Sequence, residues 1–193
     1  MIQMIQDSLF TIPYWKIHID NFEEKKKKLT KLLESYPEDE KNEIQSFVSN
    51  RQNDRSGLIK PFTSIMSEEF DVFSKKIKKD FAVHEVWSVS YDKDDYQSVH
   101  NHGSIGLTGL LYLDLPKDSP ITAYVQPWND ICDNDTQYVM IPIVEGDIVI
   151  VPSFVLHFSN PNKSNSKKRI ISWDMKILSN TNKTSRQNTE YYS

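Results

Sequence analysis

The sequence predicts a mainly β protein with helices at its N-terminal end, an α+β chain whose second half closes into a sandwich, jelly roll or barrel. Two observations carry this. Apolar residues recur at helical spacing up to about residue 82, and from about residue 83 the period changes to alternation, in six or more runs with no helical pattern between them. The separators Asp92 to Asp95, Pro116 to Pro120, Asn129 to Asp135, Gly146-Asp147 and Asn160 to Ser166 are rich in turn formers. Many short strands in succession fold as two packed sheets or a barrel, not as an α/β sheet.

The 193 residues suffice for one substantial core and are too few for two full-sized domains. The expected organisation is one domain over residues 1–178, with helical support over about 20–82 and a β core over about 83–178. Residues 179–193, rich in Asn, Thr and Ser, read as a frayed tail.

Leu9 to Ile19 reads as an extended strand interrupted by Pro13, with Phe10, Tyr14 and Trp15 as packing anchors. Asp20 and Asn21 offer an N-cap to a helix with Phe22, Leu29, Leu32, Leu33 and Tyr36 on one face, ended by Pro37. The basic run Lys25 to Lys28 on that helix is a solvated face. A short helix is expected over Glu38 to Val48 and a loop over Asn50 to Pro61. From Thr63, the residues Met66, Phe70, Phe73, Ile77 and Phe81 make an amphipathic helix. Strands are expected at Glu85 to Tyr91, Leu107 to Leu113, Ile121 to Val125, Val139 to Val144, Ile148 to Val151 and Arg169 to Ile177.

Hydrophobic residues make up 38% and charged residues 26% of the chain, the balance of a globular protein rather than a disordered one. A net charge of -4 argues against a broad nucleic-acid surface. The lone Cys132 has no internal disulfide partner, which is compatible with a reducing cytosol. Met1 to Phe10 carries no basic region followed by an apolar run, and no stretch approaches eighteen apolar residues. A soluble, cytoplasmic protein with no membrane partner is expected.

Two of the five histidines are His100 and His102, and residues two apart in an extended chain project from one face. Such a pair is also common on surfaces. His157 follows the run 146–153, a turn and an apolar strand that a rolled sheet could bring beside the pair. Three imidazoles would hold Fe(II), Zn or Cu and leave coordination positions open. In the last strand Arg169 alternates in phase with Ile171, Trp173, Met175 and Ile177. An arginine on that apolar face is costly unless an anion meets it or its head reaches solvent, and its fork suits a carboxylate. Thr108, Leu110 and Tyr112 share a face, so Tyr112 could add a hydroxyl to the same anion.

The order Trp87, Tyr91, Gln97, His100-Asn-His102-Gly, Leu107-Thr-Gly-Leu-Leu-Tyr112-Leu, Gly146-Asp-Ile-Val-Ile-Val-Pro-Ser, His157 and Arg169 resembles the 2-oxoglutarate and Fe(II)-dependent oxygenases. Within them it is most similar to oxygenases of bacteria and tailed phages that are related to prolyl 4-hydroxylases. The likeness spans residues 83–177, and Leu9 to Tyr14 also resembles that subgroup's start. It implies a double-stranded β-helix, the cupin-like jelly roll, with Fe(II) as metal, 2-oxoglutarate as cosubstrate and O2 as oxidant. It implies His100 and His157 as iron ligands and Arg169 as partner of the distal carboxylate of 2-oxoglutarate. Tyr112 would assist Arg169, Tyr91 would line the cosubstrate pocket and Trp173 would form a wall of it.

The chain departs from the superfamily at one ligand. Most members have Asp or Glu where this chain has His102, so an all-histidine site is implied, with Asp94, Asp95 and Asp147 as carboxylates that could substitute. By resemblance the leading substrate is a prolyl residue of a protein or peptide, then a small metabolite, then a nucleobase. The loops Tyr124 to Asp135 and Lys163 to Lys168 are expected at the entrance. Three other readings share the histidines: a cupin-like metal protein, which needs a Glu that residues 103–110 lack; a three-histidine zinc hydrolase; and a noncatalytic jelly roll in which they only pack.

Overall fold

A computed structural model of the chain describes residues 11–39, 46–51 and 56–178. In chain order the elements are β1 (Trp15–His18), α1 (Phe22–Glu34), β2 (Val48–Ser49), α2 (Ser56–Ile65), α3 (Ser67–Ile77), β3 (Phe81–Tyr91), β4 (Gln97–His100) and β5 (Leu107–Asp114). They continue with β6 (Thr122–Asn129), β7 (Thr136–Met140), β8 (Asp147–Pro152), β9 (His157–Ser159) and β10 (Lys168–Ile177).

The strands form a six-stranded sheet, ordered β1-β8-β5-β10-β3-β2, and a four-stranded sheet, ordered β4-β9-β6-β7. Every described pairing is antiparallel. This is the double-stranded β-helix expected from the sequence, with the helices packed on the outside of the larger sheet.

The larger sheet is covered on both faces, which explains why its central strands read as near-continuous apolar runs. On the outer face Leu111, Ile171, Trp173 and Met175 pack with Leu58, Phe62, Phe70 and Phe73 of the helices. On the inner face Val89, Tyr91, Leu110, Tyr112 and Ile170 form a second core with Tyr124 of the smaller sheet. Alternation along β10 therefore sends its odd-numbered residues to the helices and its even-numbered ones to the interior of the roll.

Several elements differ from expectation for local reasons. The expected loop Asn50 to Pro61 contains the start of α2, in which Pro61 is internal. A proline inside a helix costs about 3 kcal/mol, and burying Leu58 and Phe62 contributes about 1.5–3 kcal/mol each. Both are at most 1% exposed, so packing wins. The helix expected over Glu38 to Val48 falls partly outside the described residues; Ser46 and Phe47 form a bend and Val48–Ser49 is β2. Strand β7 begins at Thr136 and ends at Met140, short of the expected Val144, and every residue in it is exposed, so burial gave no period to read. Residues 11–14 precede β1 as coil, whereas Leu9, Phe10 and the expected tail 179–193 lie outside the described residues. Among the described residues, no helix is long and apolar enough to cross a membrane.

Candidate metal centre and cosubstrate pocket

The three histidines meet inside the mouth of the roll. His100 ends β4 and is the register partner of His157, which begins β9. His102 lies two residues past β4, beyond the reach of strand alternation. Its backbone N–H donates to the carbonyl of Ser153 at 2.9 Å, which ties it to the end of β8. The loop after it turns through Gly106 at φ 107°, where a Cβ would sit 2.6 Å from the Met175 carbonyl oxygen. Only glycine fits that approach.

Ring centroids are 4.4 Å apart for His100 and His157, 5.1 Å for His102 and His157, and 5.4 Å for His100 and His102. Each ring's Nδ1 is engaged: His100 with the Ser98 carbonyl at 2.8 Å, His157 with the Val155 carbonyl at 3.0 Å, and His102 with Asp174 Oδ1 at 2.9 Å. These partners are acceptors, so each Nδ1 is the N–H and each Nε2 carries a free lone pair. One ligand atom from each ring lies within 4.8 Å of the others, close enough for a single cation to draw all three together. Burial pushes His157 down to about 3, with His100 nearby adding to the effect, and burial also lowers His100. Both are neutral near pH 7, the form that ligates a metal.

The carboxylates that could have substituted for His102 are engaged elsewhere. Asp147 pairs with Lys16 and His18, Asp94 with Lys163, and Asp95 accepts from the backbone of Asp92. The carboxylate that does meet the triad is Asp174, which the sequence reading passed over. Burial acts to raise its pKa, and the hydrogen bonds from His102 and Thr108 with the nearby positive charge outweigh that and hold it below the usual range.

Arg169 and Trp173 require correction. Both lie on the outer face of β10. Arg169 pairs with Asp114, which also binds Lys26 of α1. Trp173 is fully buried against Phe62 and Phe70, with ring centroids 5.4 and 5.8 Å away. The expectation took the more apolar face of β10 for the interior of the roll; the helices make the outer face the more apolar one. Neither residue faces the histidines.

The cation on the inner face is Lys168, one residue earlier and unnamed as a site residue from sequence. It is fully buried, and its Nζ donates to Ser159 Oγ at 2.6 Å and the Pro120 carbonyl at 3.0 Å. It lies 4.2 Å from the centroid of the Tyr91 ring. Burial lowers its pKa to about 7, and among the described residues no carboxylate bonds to it. Ser159 and Tyr91 also line the cleft that contains the three histidines, so the ammonium sits under its floor. A run of two lysines and an arginine gave no means of choosing among 167, 168 and 169; only the phase of β10 against the helices decides it.

Tyr91 and Tyr112 are on the inner face as expected. The Tyr91 hydroxyl donates to Gln97 Oε1 at 2.6 Å, and Tyr112 donates to Thr122 Oγ1 at 2.8 Å, with no access to Arg169. Burial raises the pKa of both, so both remain neutral donors. Ser172, another inner residue of β10, lines the cleft, and its buried hydroxyl has no hydrogen-bond partner among the described residues. The expected entrance loop after Tyr124 borders a separate apolar groove, where Trp128 joins Ile12 and Tyr14.

A family model described as "Putative 2OG-Fe(II) oxygenase" matches residues 85–174, the stretch from β3 to β10 that carries all three histidines and Lys168. Over residues 85–174 the chain is similar to that oxygenase family. Solved structures share the fold of the chain. A member of the 2OG-Fe(II) oxygenase family from Burkholderia pseudomallei is 9% identical at TM-score 0.62, over 83% of this chain and 84% of that one. A prolyl-4-hydroxylase from Pseudomonas putida is 12% identical at TM-score 0.55, over 86% and 94%. HygX from Streptomyces hygroscopicus, solved with nickel and 2-oxoglutarate bound, is 11% identical at TM-score 0.62, over 86% and 83%. No curated protein matches the chain by sequence.

Proposed function

We propose that the protein is an Fe(II)- and 2-oxoglutarate-dependent hydroxylase in which His100, His102 and His157 hold the metal and Lys168, in place of Arg169, binds the distal carboxylate of 2-oxoglutarate. The observation that carries this reading is the matched set of tautomers: three Nδ1 atoms committed to acceptors, which leaves the Nε2 lone pairs of three clustered rings free, with one ligand atom of each ring within 4.8 Å of the others. Zinc would accept the same ligands, but a zinc hydrolase has no use for a buried ammonium under the floor of the same cleft. A noncatalytic jelly roll has no use for either.

Metal and cosubstrate together supply the oxidation: 2-oxoglutarate and O2 become succinate and CO2, with the second oxygen atom passed to a C–H bond of the substrate. The chain's own residues do the rest. Lys168 carries the positive charge that a dicarboxylate needs once inside, and the cost of burying that charge is recovered when the anion arrives. The Ser172 hydroxyl has bonding capacity for a ligand in the cleft. Tyr91, kept neutral and tied to Gln97, is a fixed wall between Lys168 and the cleft. Val89, Leu110 and Ile170 place apolar side chains among the polar groups of the cleft lining, which limits water on that side of it.

For the primary substrate we favour a prolyl residue of a protein or peptide, supported by the likeness to the Pseudomonas prolyl-4-hydroxylase fold. The second reading, a small molecule, draws on HygX, which has been solved with hygromycin B bound. Succinate formed from 2-oxoglutarate by the Fe(II)-loaded protein, with and without prolyl peptide pools, tests both. Peptide-dependent turnover supports the prolyl reading. Turnover stimulated only by small-molecule pools would replace it, and no turnover with any pool would count against the hydroxylase.

A further inference from the structure

The ligand set of this site lacks the carboxylate that most of the superfamily uses, so three neutral imidazoles would leave a divalent cation with its full charge. A carboxylate is nevertheless present one hydrogen bond away. Asp174 on β10 has a side chain only 9% exposed, and its Oδ1 lies 2.9 Å from Nδ1 of His102, a residue 72 positions earlier in the chain. The same oxygen accepts the Thr108 hydroxyl at 2.7 Å, and Thr108 in turn lies 3.1 Å from Ser153 Oγ. Its other oxygen is 3.9 Å from Arg51 Nη2.

His102 is more tightly held than a strand residue would be. Its side chain is 2% exposed, its backbone N–H is bound to Ser153, and its ring stacks on Trp87 at 5.3 Å and 27°. Trp87 is backed by the Arg51 guanidinium at 4.3 Å. Position, tilt and tautomer of this one imidazole are thus set by three different neighbours.

We infer that Asp174 is a positioning residue of the metal centre: through His102 it supplies the negative charge that a ligand carboxylate would supply directly, and it turns Nε2 toward the metal. The inference rests on the metal reading above. A carboxylate behind a ligating imidazole makes the far nitrogen a better donor, and losing such a partner lowers metal affinity by about 10- to 100-fold.

A double-mutant cycle on Fe(II) affinity, measured by anaerobic titration calorimetry with folding followed by circular dichroism, tests it. Asp174→Asn is the probe: the hydrogen bonds from His102 and Thr108 both fall on Oδ1, which the amide oxygen can keep, while the charge is lost. In the native chain Asp174→Asn weakens Fe(II) binding about 10- to 100-fold. In a His102→Asp background the same change has little effect or tightens binding, because the carboxylate in the ligand position carries the charge and would otherwise sit beside a second one. Thr108→Val, which removes a bond to Asp174 and leaves its charge, lowers thermal stability and keeps Fe(II) affinity within a few-fold. Unchanged affinity in Asp174→Asn, an equal loss in both backgrounds, or a loss in Thr108→Val as large as that in Asp174→Asn would overturn the inference while leaving the metal site standing. Absence of Fe(II) binding by the native chain would overturn the metal reading and this inference with it.

Discussion

Lys168 Nζ donates to Ser159 Oγ at 2.6 Å in the interior of the roll, an ammonium group with hydroxyl and carbonyl partners and no carboxylate among the described residues. Its replacement separates binding from stability. Lys168→Met removes a charge that is costly to bury, so the melting temperature of the ligand-free protein rises or holds. Its affinity for 2-oxoglutarate falls by at least about tenfold, since a hydrogen bond to a charged group contributes about 1.5–3 kcal/mol. Calorimetric titration of the metal-loaded protein and a thermal melt check both halves. Unaltered 2-oxoglutarate affinity would place the distal carboxylate elsewhere.

The same lysine gives a pH dependence. Burial lowers its pKa from 10.5 to about 7, so between these values the unfolded chain holds a proton that the ligand-free native protein does not. The contribution of Lys168 to stability therefore rises with pH over that window and is least favourable below it. Binding of an anion reverses the preference. Above about pH 7, 2-oxoglutarate must draw a proton onto Lys168, so its affinity declines as pH rises and binding takes up protons. Titrations in two buffers of different ionisation enthalpy measure that uptake, and they should show none in Lys168→Met.

Arg169 serves as the contrasting case. It faces the helices and pairs with Asp114 on a partly exposed edge. Arg169→Ala should cost about 0.5–1 kcal/mol of stability, as surface ion pairs do, and leave 2-oxoglutarate affinity unchanged within about twofold. A large loss of cosubstrate binding would restore the role that the sequence suggested for it.

Much of the architecture was readable in advance because burial imposes a period. The switch near residue 82, the helix packed through Phe70 and Phe73, and the strands around Leu110 and Val149 all follow from it. The three histidines were also legible, although strand alternation was the wrong reason for His102, which sits past the end of β4 and is placed by Ser153, Trp87 and Asp174. The misreading of β10 has one physical source. A strand apolar on both faces has no intrinsic inside, and the choice between Lys168 and Arg169 depends on which face the helices cover. That is a tertiary fact, as is the pairing of Asp174 with His102.

The outer face of β10 offers a stability test independent of chemistry. A Cβ added at Gly109 would lie 2.1 Å from Trp173 Cε2, inside a fully buried cluster. Gly109→Ala should lose about 1–3 kcal/mol, and Trp173→Ala about 3–5 kcal/mol, in urea unfolding. Neither should alter the stoichiometry of bound metal in the fraction that stays folded. A metal-free but fully stable Trp173→Ala protein would mean that the indole reaches the site after all.

The convergence of three imidazoles on one cation is tested most directly by counting metal. Anaerobic equilibrium dialysis against Fe(II) should give one ion per native chain, and close to none for His100→Ala, His102→Ala or His157→Ala proteins whose circular dichroism is unchanged. A native chain that retains no iron, or a folded His157→Ala chain that retains it in full, would contradict the account.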